Sequence, residues 1–151
     1  METYISMPPI FGLFGLIIAF VLYSIVVSYD EGSVKVKKIA DQIHLGAMVF
    51  MRREYTYLFL FLIVLIGLTY TAFYNWEGPE VAFNTALAVT VGALSSSLAG
   101  WLGMFSATKA NSRTATAAAD KGQKVALSIA FYGGSIMGLC VASLGLIGLG
   151  G

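Results

Sequence analysis

Charge is scarce in this sequence. Asp, Glu, Lys and Arg make up 11% of its 151 residues, whereas hydrophobic residues make up 58%. A water-soluble domain carries about a quarter of its residues charged. The shortage excludes an ordinary soluble fold and points to an integral membrane protein. Cysteine is rarer still. The one thiol, Cys140, excludes an intrachain disulfide framework and, inside an apolar run, reads as a small hydrophobe. The single histidine, His44, excludes a His-based metal site or a Ser-His-Asp triad within one chain, and is expected at the surface near lipid headgroups. No Lys or Arg precedes the first apolar run, and no small-residue cleavage site follows it before Asp30. That run therefore reads as a retained span and not as a signal peptide. The formal charge of +1 says little about partners, because the sum hides a strong spatial pattern, and no nucleic-acid partner is expected.

What the chain has instead is long apolar runs. A helix needs about 20 apolar residues to cross a hydrocarbon core ~30 Å thick. Four stretches qualify, approximately 9–29, 55–76, 81–108 and 125–151. The expected fold class is all-α, a polytopic membrane protein with four transmembrane helices. Tyr29, Tyr55, Tyr74 and Trp76 stand near the ends of these runs, where interfacial aromatics belong.

The few charges are strongly ordered. Lys35, Lys37, Lys38, Arg52 and Arg53 fall in the connection 30–54, and Lys109, Arg113, Lys121 and Lys124 in the connection 109–124. The other side carries only Glu2, Glu77 and Glu80. The positive-inside rule makes the two basic loops cytoplasmic and puts the N-terminus outside a multi-pass cell-membrane protein. In the first connection Val36, Ile39, Ala40, Ile43, Ala47 and Phe50 recur at helical spacing, with Ser33 as a candidate N-cap. This predicts an amphipathic helix on the cytoplasmic surface, running into the second span. The Ala- and Thr-rich second connection predicts a short helix with a turn at Lys121–Gly122.

The run AFYGGSIMGL, residues 130–139, poses a choice between a phosphate-gripping loop and a packing face. A phosphate loop needs free backbone amides at a strand–helix junction and commonly a following Lys, as in GxxxxGK[ST]. Here the glycines lie inside an apolar span with no such Lys, so the spacing predicts helix packing. In the third span Ala88, Gly92, Ser96 and Gly100 form one four-residue stripe, and Ser95, Ala99, Gly103 and Ala107 a second. Gly134, Gly138 and Ala142 continue the rule in the fourth. Small residues so spaced let helix backbones approach closely in lipid. The expected packing positions are Gly92, Ser96, Gly100, Gly103, Gly134 and Gly138.

Catalysis and transport in membranes leave ionisable groups inside the bilayer, yet none of the four spans has one away from its ends. Asp41 and Glu54 stand 13 positions apart and cannot pair on one straight helix. Arg52 and Arg53 are explained by positive-inside anchoring, with membrane lipid phosphate as a second use. No catalytic, substrate-binding or metal-ligating residue is assigned in this chain.

Three stretches nevertheless carry a resemblance. IADQIHLGAMVFMRREY, residues 39–55, is similar to the segment that precedes the second span of membrane-bound, ion-translocating inorganic pyrophosphatases, matching at Ile39, Ile43, Gly46, Ala47, Phe50, Met51, Glu54 and Tyr55. GMFSATKANSRTATAA, residues 103–118, resembles a second family motif through Gly103, Met104, Ala107, Thr108, Asn111 and Arg113, among others. AFYGGSIMGL resembles a third, through Gly133, Gly134, Met137 and Gly138 in particular, while Tyr132 stands where the family usually has Arg or Gln.

The resemblance covers nearly the whole chain but only about the first quarter of a family member, which has about sixteen spans. It implies an N-terminal portion contributing outer-ring scaffold helices to a pump that hydrolyses pyrophosphate and moves H⁺ or Na⁺. It also implies Mg²⁺ as the parent's cofactor, with K⁺ an open second, and the parent's remaining helices and a second copy as partners. The Asp-rich substrate motifs of the family are absent here, so the chain alone is expected to be inactive. The apolar ending GLIGLGG reads as a C-terminal truncation. The alternative is an autonomous, non-catalytic four-span membrane scaffold.

Overall fold

The computed structural model describes residues 7–150, and side chains as far as residue 148. Glu2 and Gly151, which the sequence reading places at the two outer ends, lie outside the described residues. Four helices account for nearly everything: α1 (Met7–Ser28), α2 (Val34–Trp76), α3 (Pro79–Asp120) and α4 (Gln123–Gly150). All four are long and apolar enough to cross a membrane.

The two connections expected as cytoplasmic loops are helical for most of their length. α2 has 43 residues and α3 has 42. At 1.5 Å per residue each is about 65 Å long, roughly twice the hydrocarbon thickness. The basic segment 34–54 and the second span are one helix. The third span likewise runs unbroken through the second connection to Asp120, so the separate short helix expected there is the last third of α3. Ala-rich sequence explains the continuity, since nothing between Ala107 and Ala119 breaks a helix.

Short turns join the helices. Glu77 ends α2 by donating its N–H to the Phe73 carbonyl at 2.8 Å, and Gly78 at φ +95 leads into Pro79 at the start of α3. Proline fits there because its missing N–H falls among groups the helix leaves unpaired. After α1, the Asp30 carboxylate accepts the Gly32 N–H at 2.9 Å. Gly32 takes φ +97, a conformation disfavoured for residues with a Cβ, and a Cβ there would also strike the Thr116 side chain. The predicted turn at Lys121–Gly122 separates α3 from α4.

Packing is uneven. α4 lies against both α1 and α3, α2 lies against α3, and α1 and α3 touch only lightly. The side-by-side order is therefore α1, α4, α3, α2. The buried core is built from small residues, including Ala19, Ala99, Ala110, Ala117 and Ala126, with Val26, Ile129, Ile136 and Cys140 filling between them. Small side chains bring backbones close enough for van der Waals contact to hold helices together in lipid.

Candidate functional site

The residues singled out by sequence divide into those inside the helix layer and those on its outside. On α3 the buried residues Ala99, Gly103, Ser106, Ala110, Arg113 and Ala117 alternate steps of four and three. On α4 the buried residues Ala126, Ile129, Gly133, Ile136, Cys140 and Ser143 alternate steps of three and four. A mean step of 3.5 keeps the two faces together as in a left-handed coiled coil. The contact is tight. A Cβ added at Gly133 would lie 2.5 Å from the Ala110 Cβ, and one at Gly103 would lie 2.6 Å from the Met137 Cγ.

Of the six expected packing positions, Gly103 sits in this seam. Gly100 faces α2, where a Cβ would approach the Tyr55 hydroxyl at 3.2 Å. The other four lie outside the contacts among the described helices. Gly92, Gly134 and Gly138 have open space where a side chain would be, and Ser96 is exposed. Gly134 and Gly138 fall between the α4 seam positions Gly133, Ile136 and Cys140, whereas Gly92 and Ser96 keep the spacing of the α3 seam and are nevertheless exposed. Sequence reading also missed the α1–α4 contact. A Cβ at Gly12 would lie 2.6 Å from the Ser143 carbonyl oxygen, and one at Gly15 would overlap the Ser143 hydroxyl. The available signal was the seven-residue spacing of Gly12, Ala19 and Val26, all of them buried.

At the basic end Arg113 ties three segments together. Its Nη1 donates to Glu31 Oε1 at 3.2 Å and to the Lys109 carbonyl at 2.7 Å, and its Nε donates to the Tyr29 carbonyl at 3.2 Å. Its side chain is 8% exposed and that of Glu31 24%. The Thr116 hydroxyl donates to the Glu31 carbonyl at 3.1 Å, and the Lys121 ammonium lies 5.9 Å from the centre of the Tyr29 ring. The α1–α2 turn is thus strapped to α3. Within it, the Gly32 amide holds the exposed Asp30 carboxyl below its ordinary value. That contribution is present above the ordinary pKa and is lost as pH falls through the lowered one.

α2 also packs on α3 near the same end. His44 is not a free surface residue. Its Nδ1 lies 2.7 Å from the Thr108 hydroxyl, and its ring meets Phe105 edge-on at 5.1 Å. Because that hydroxyl donates to the Phe105 carbonyl, it accepts from His44, which places the imidazole proton on Nδ1.

The motif positions follow the same division. Arg113 and Gly133 are buried, Met137 covers Gly103, and Ala47 is half-buried. Gly46, Asn111, Gly134 and Gly138 are exposed. Asn111, Gly133 and Gly134 line a groove of about 460 Å³ between α3 and α4. Among the described residues no three His, Cys, Asp or Glu side chains come together, and Glu31 is already committed to Arg113. Mg²⁺, which the resemblance implies for the parent, does not fit this chain's own donors.

Comparison with known proteins places the chain. Residues 13–151 match the family model described as inorganic H⁺ pyrophosphatase. Over 152 aligned residues the chain is 38% identical to the K⁺-insensitive pyrophosphate-energised proton pump of Pyrobaculum aerophilum, covering 100% of this chain and 21% of that protein. It is 37% identical to the K⁺-insensitive pyrophosphate-energised proton pump 2 of Moorella thermoacetica, covering 93% and 20%. It is 38% identical to the K⁺-stimulated pyrophosphate-energised sodium pump of Thermotoga maritima, covering 84% and 16%. The chain spans about a fifth of the length of the curated relatives it matches. Four membrane-spanning helices and a family match over nearly the whole chain agree: it belongs to the inorganic H⁺ pyrophosphatase family.

Proposed function

We propose that this chain is the N-terminal portion of a pyrophosphate-energised ion pump, in which it supplies outer-ring scaffold helices and no catalytic group. The family match over residues 13–151 carries this reading. The chain's charges support it, since all lie outside the four apolar spans. The exposed positions Gly134, Gly138, Gly92 and Ser96 are then contacts for the parent's remaining helices. Pyrophosphate, Mg²⁺ and any K⁺ are handled by those other helices, and the parent works as a homodimer. Whether it moves H⁺ or Na⁺ is decided outside this chain.

Two measurements test the proposal. The purified 151-residue chain should show no Mg²⁺-dependent pyrophosphate hydrolysis and no ion movement in vesicles, while the native polypeptide has a mass several times 16.1 kDa and does both. Hydrolysis by the short chain would refute the assignment, and a native mass near 16.1 kDa would favour the autonomous scaffold. The basic ends of α2 and α3 are proposed to be cytoplasmic. A reporter fused at Gly78 should accordingly be active only outside the cell, and a cytoplasmic signal would reverse the orientation.

A further inference from the structure

We propose that a cleft between the start of α2 and the end of α3 binds a small neutral alcohol, about one ring in size, through the Ser112 hydroxyl. Val36, Ile39 and Ile43 of the amphipathic stripe on α2 form one wall, and Thr108, Asn111 and Ser112 on α3 form the other. Between them lie about 140 Å³. Ser112 adjoins Arg113, which bonds Tyr29 and Glu31. The cleft is therefore level with the α1–α2 turn, beyond the apolar run of α1.

Ser112 is 8% exposed, and its hydroxyl has no hydrogen-bond partner among the described residues. Other hydroxyls on α3 return to the carbonyl one turn back, Ser106 to Leu102 at 2.8 Å and Thr114 to Ala110 at 2.9 Å. Ser112 makes no such bond and borders the cleft instead. A buried polar group left without a partner is costly, and native proteins pair nearly all of them.

The remaining lining sets the class of ligand. No residue of the cleft is charged, so an ion would be desolvated there without a counter-charge. The Thr108 hydroxyl is already engaged with His44 and the Phe105 carbonyl. That leaves the Ser112 hydroxyl, with the exposed Asn111 amide beside it, facing an aliphatic wall. An apolar protein cavity of about 150 Å³ admits benzene. A ring of that size carrying one hydroxyl would pair with Ser112 and cover Ile39 and Ile43, which are 51% and 46% exposed. Occupancy would brace α2 against α3 beyond the His44–Thr108 contact, whether or not the chain belongs to an ion pump.

The test titrates the full 151-residue chain in detergent with 4-fluorophenol and with fluorobenzene, read by fluorine NMR against protein-free micelles. 4-Fluorophenol should bind saturably and about five-fold more tightly than fluorobenzene, the ratio one hydrogen bond confers. Ser112→Ala should erase that ratio without lowering Tm, since it removes a hydroxyl that has no protein partner. Ser106→Ala, whose hydroxyl is spent on Leu102, should leave the ratio intact. Ala115→Leu fills the cleft from α3 and keeps the Ser112 hydroxyl, so it should abolish saturable binding of both probes. Equal affinities for the two probes overturn the proposal, as does a preference that survives Ser112→Ala or binding that survives Ala115→Leu. Loss of the ratio in both serine variants overturns it too, because it would reflect a general disturbance of the helices. Absence of saturable binding also overturns it, since water or protein then satisfies Ser112.

Discussion

Gly133→Leu should disrupt the pairing of α3 with α4, while Gly138→Leu should leave it intact. The two glycines stand five positions apart, and they carry the same substitution into opposite surroundings. At Gly133 the first added carbon already meets the Ala110 methyl at 2.5 Å, and Ala110 sits on helix backbone that packing holds in place. At Gly138 no atom lies within 4 Å. Overpacking a tight interior costs about 3 kcal/mol at the upper end of its usual range, roughly a 10 °C loss in Tm for a chain of this size. A substitution into open surroundings usually stays within about 0.5 kcal/mol. Thermal unfolding of both variants in the same detergent checks the expectation. Equal losses would mean that the seam does not run through Gly133. In the larger pump, Gly138→Leu should acquire a cost of its own, since that face is proposed to meet the remaining helices.

Removal of Arg113 should free the α1–α2 turn. Arg113→Ala leaves the Tyr29 and Lys109 carbonyls without their donor and the Glu31 carboxylate without its partner. Breaking a buried pair from one side costs about 3–5 kcal/mol. The lower end applies here because Glu31 is 24% exposed and can rehydrate. Arg113→Lys should recover little, since a lysine ammonium cannot reproduce contacts made separately from Nε and Nη1. Hydrogen exchange across residues 29–33, the turn that Arg113 and Thr116 hold, gives a local readout. Unchanged protection in Arg113→Ala would show that Thr116 and Gly32 hold the turn by themselves.

Much of the architecture was legible because lipid imposes simple rules. Hydropathy located four spans, and the segregation of all nine basic residues separated the two ends of the layer. The turn at Lys121–Gly122 followed from local chemistry, whereas α2 begins after Ser33 without a capping bond from its side chain. The contacts were harder to read. A stripe such as Gly134–Gly138 and a seam such as Gly133–Ile136–Cys140 occupy adjacent faces of one helix, and composition alone does not say which face meets a partner. The distinction rests on 3.5- against 4-residue periodicity sustained over several turns. It was present in Ala99–Gly103–Ser106–Ala110 but was masked by the surplus of small residues around it. Arg113 shows the opposite difficulty. Its motif was readable, but its partners Tyr29 and Glu31 lie 84 and 82 positions away, beyond the reach of any local pattern.

The side-by-side order of the helices also has a temporal side. α1 is made first, yet its principal neighbour is α4, which is made last of the four. While the ribosome is still working, α1 must wait in the bilayer with its Gly12 and Gly15 notch covered only by lipid. α2 and α3, joined by the tight Gly78–Pro79 turn, can meanwhile pair as a hairpin. Arrival of Ser143 between α1 and α3 then closes the layer in one event. Among the four helices, α1 is therefore the last to become fixed.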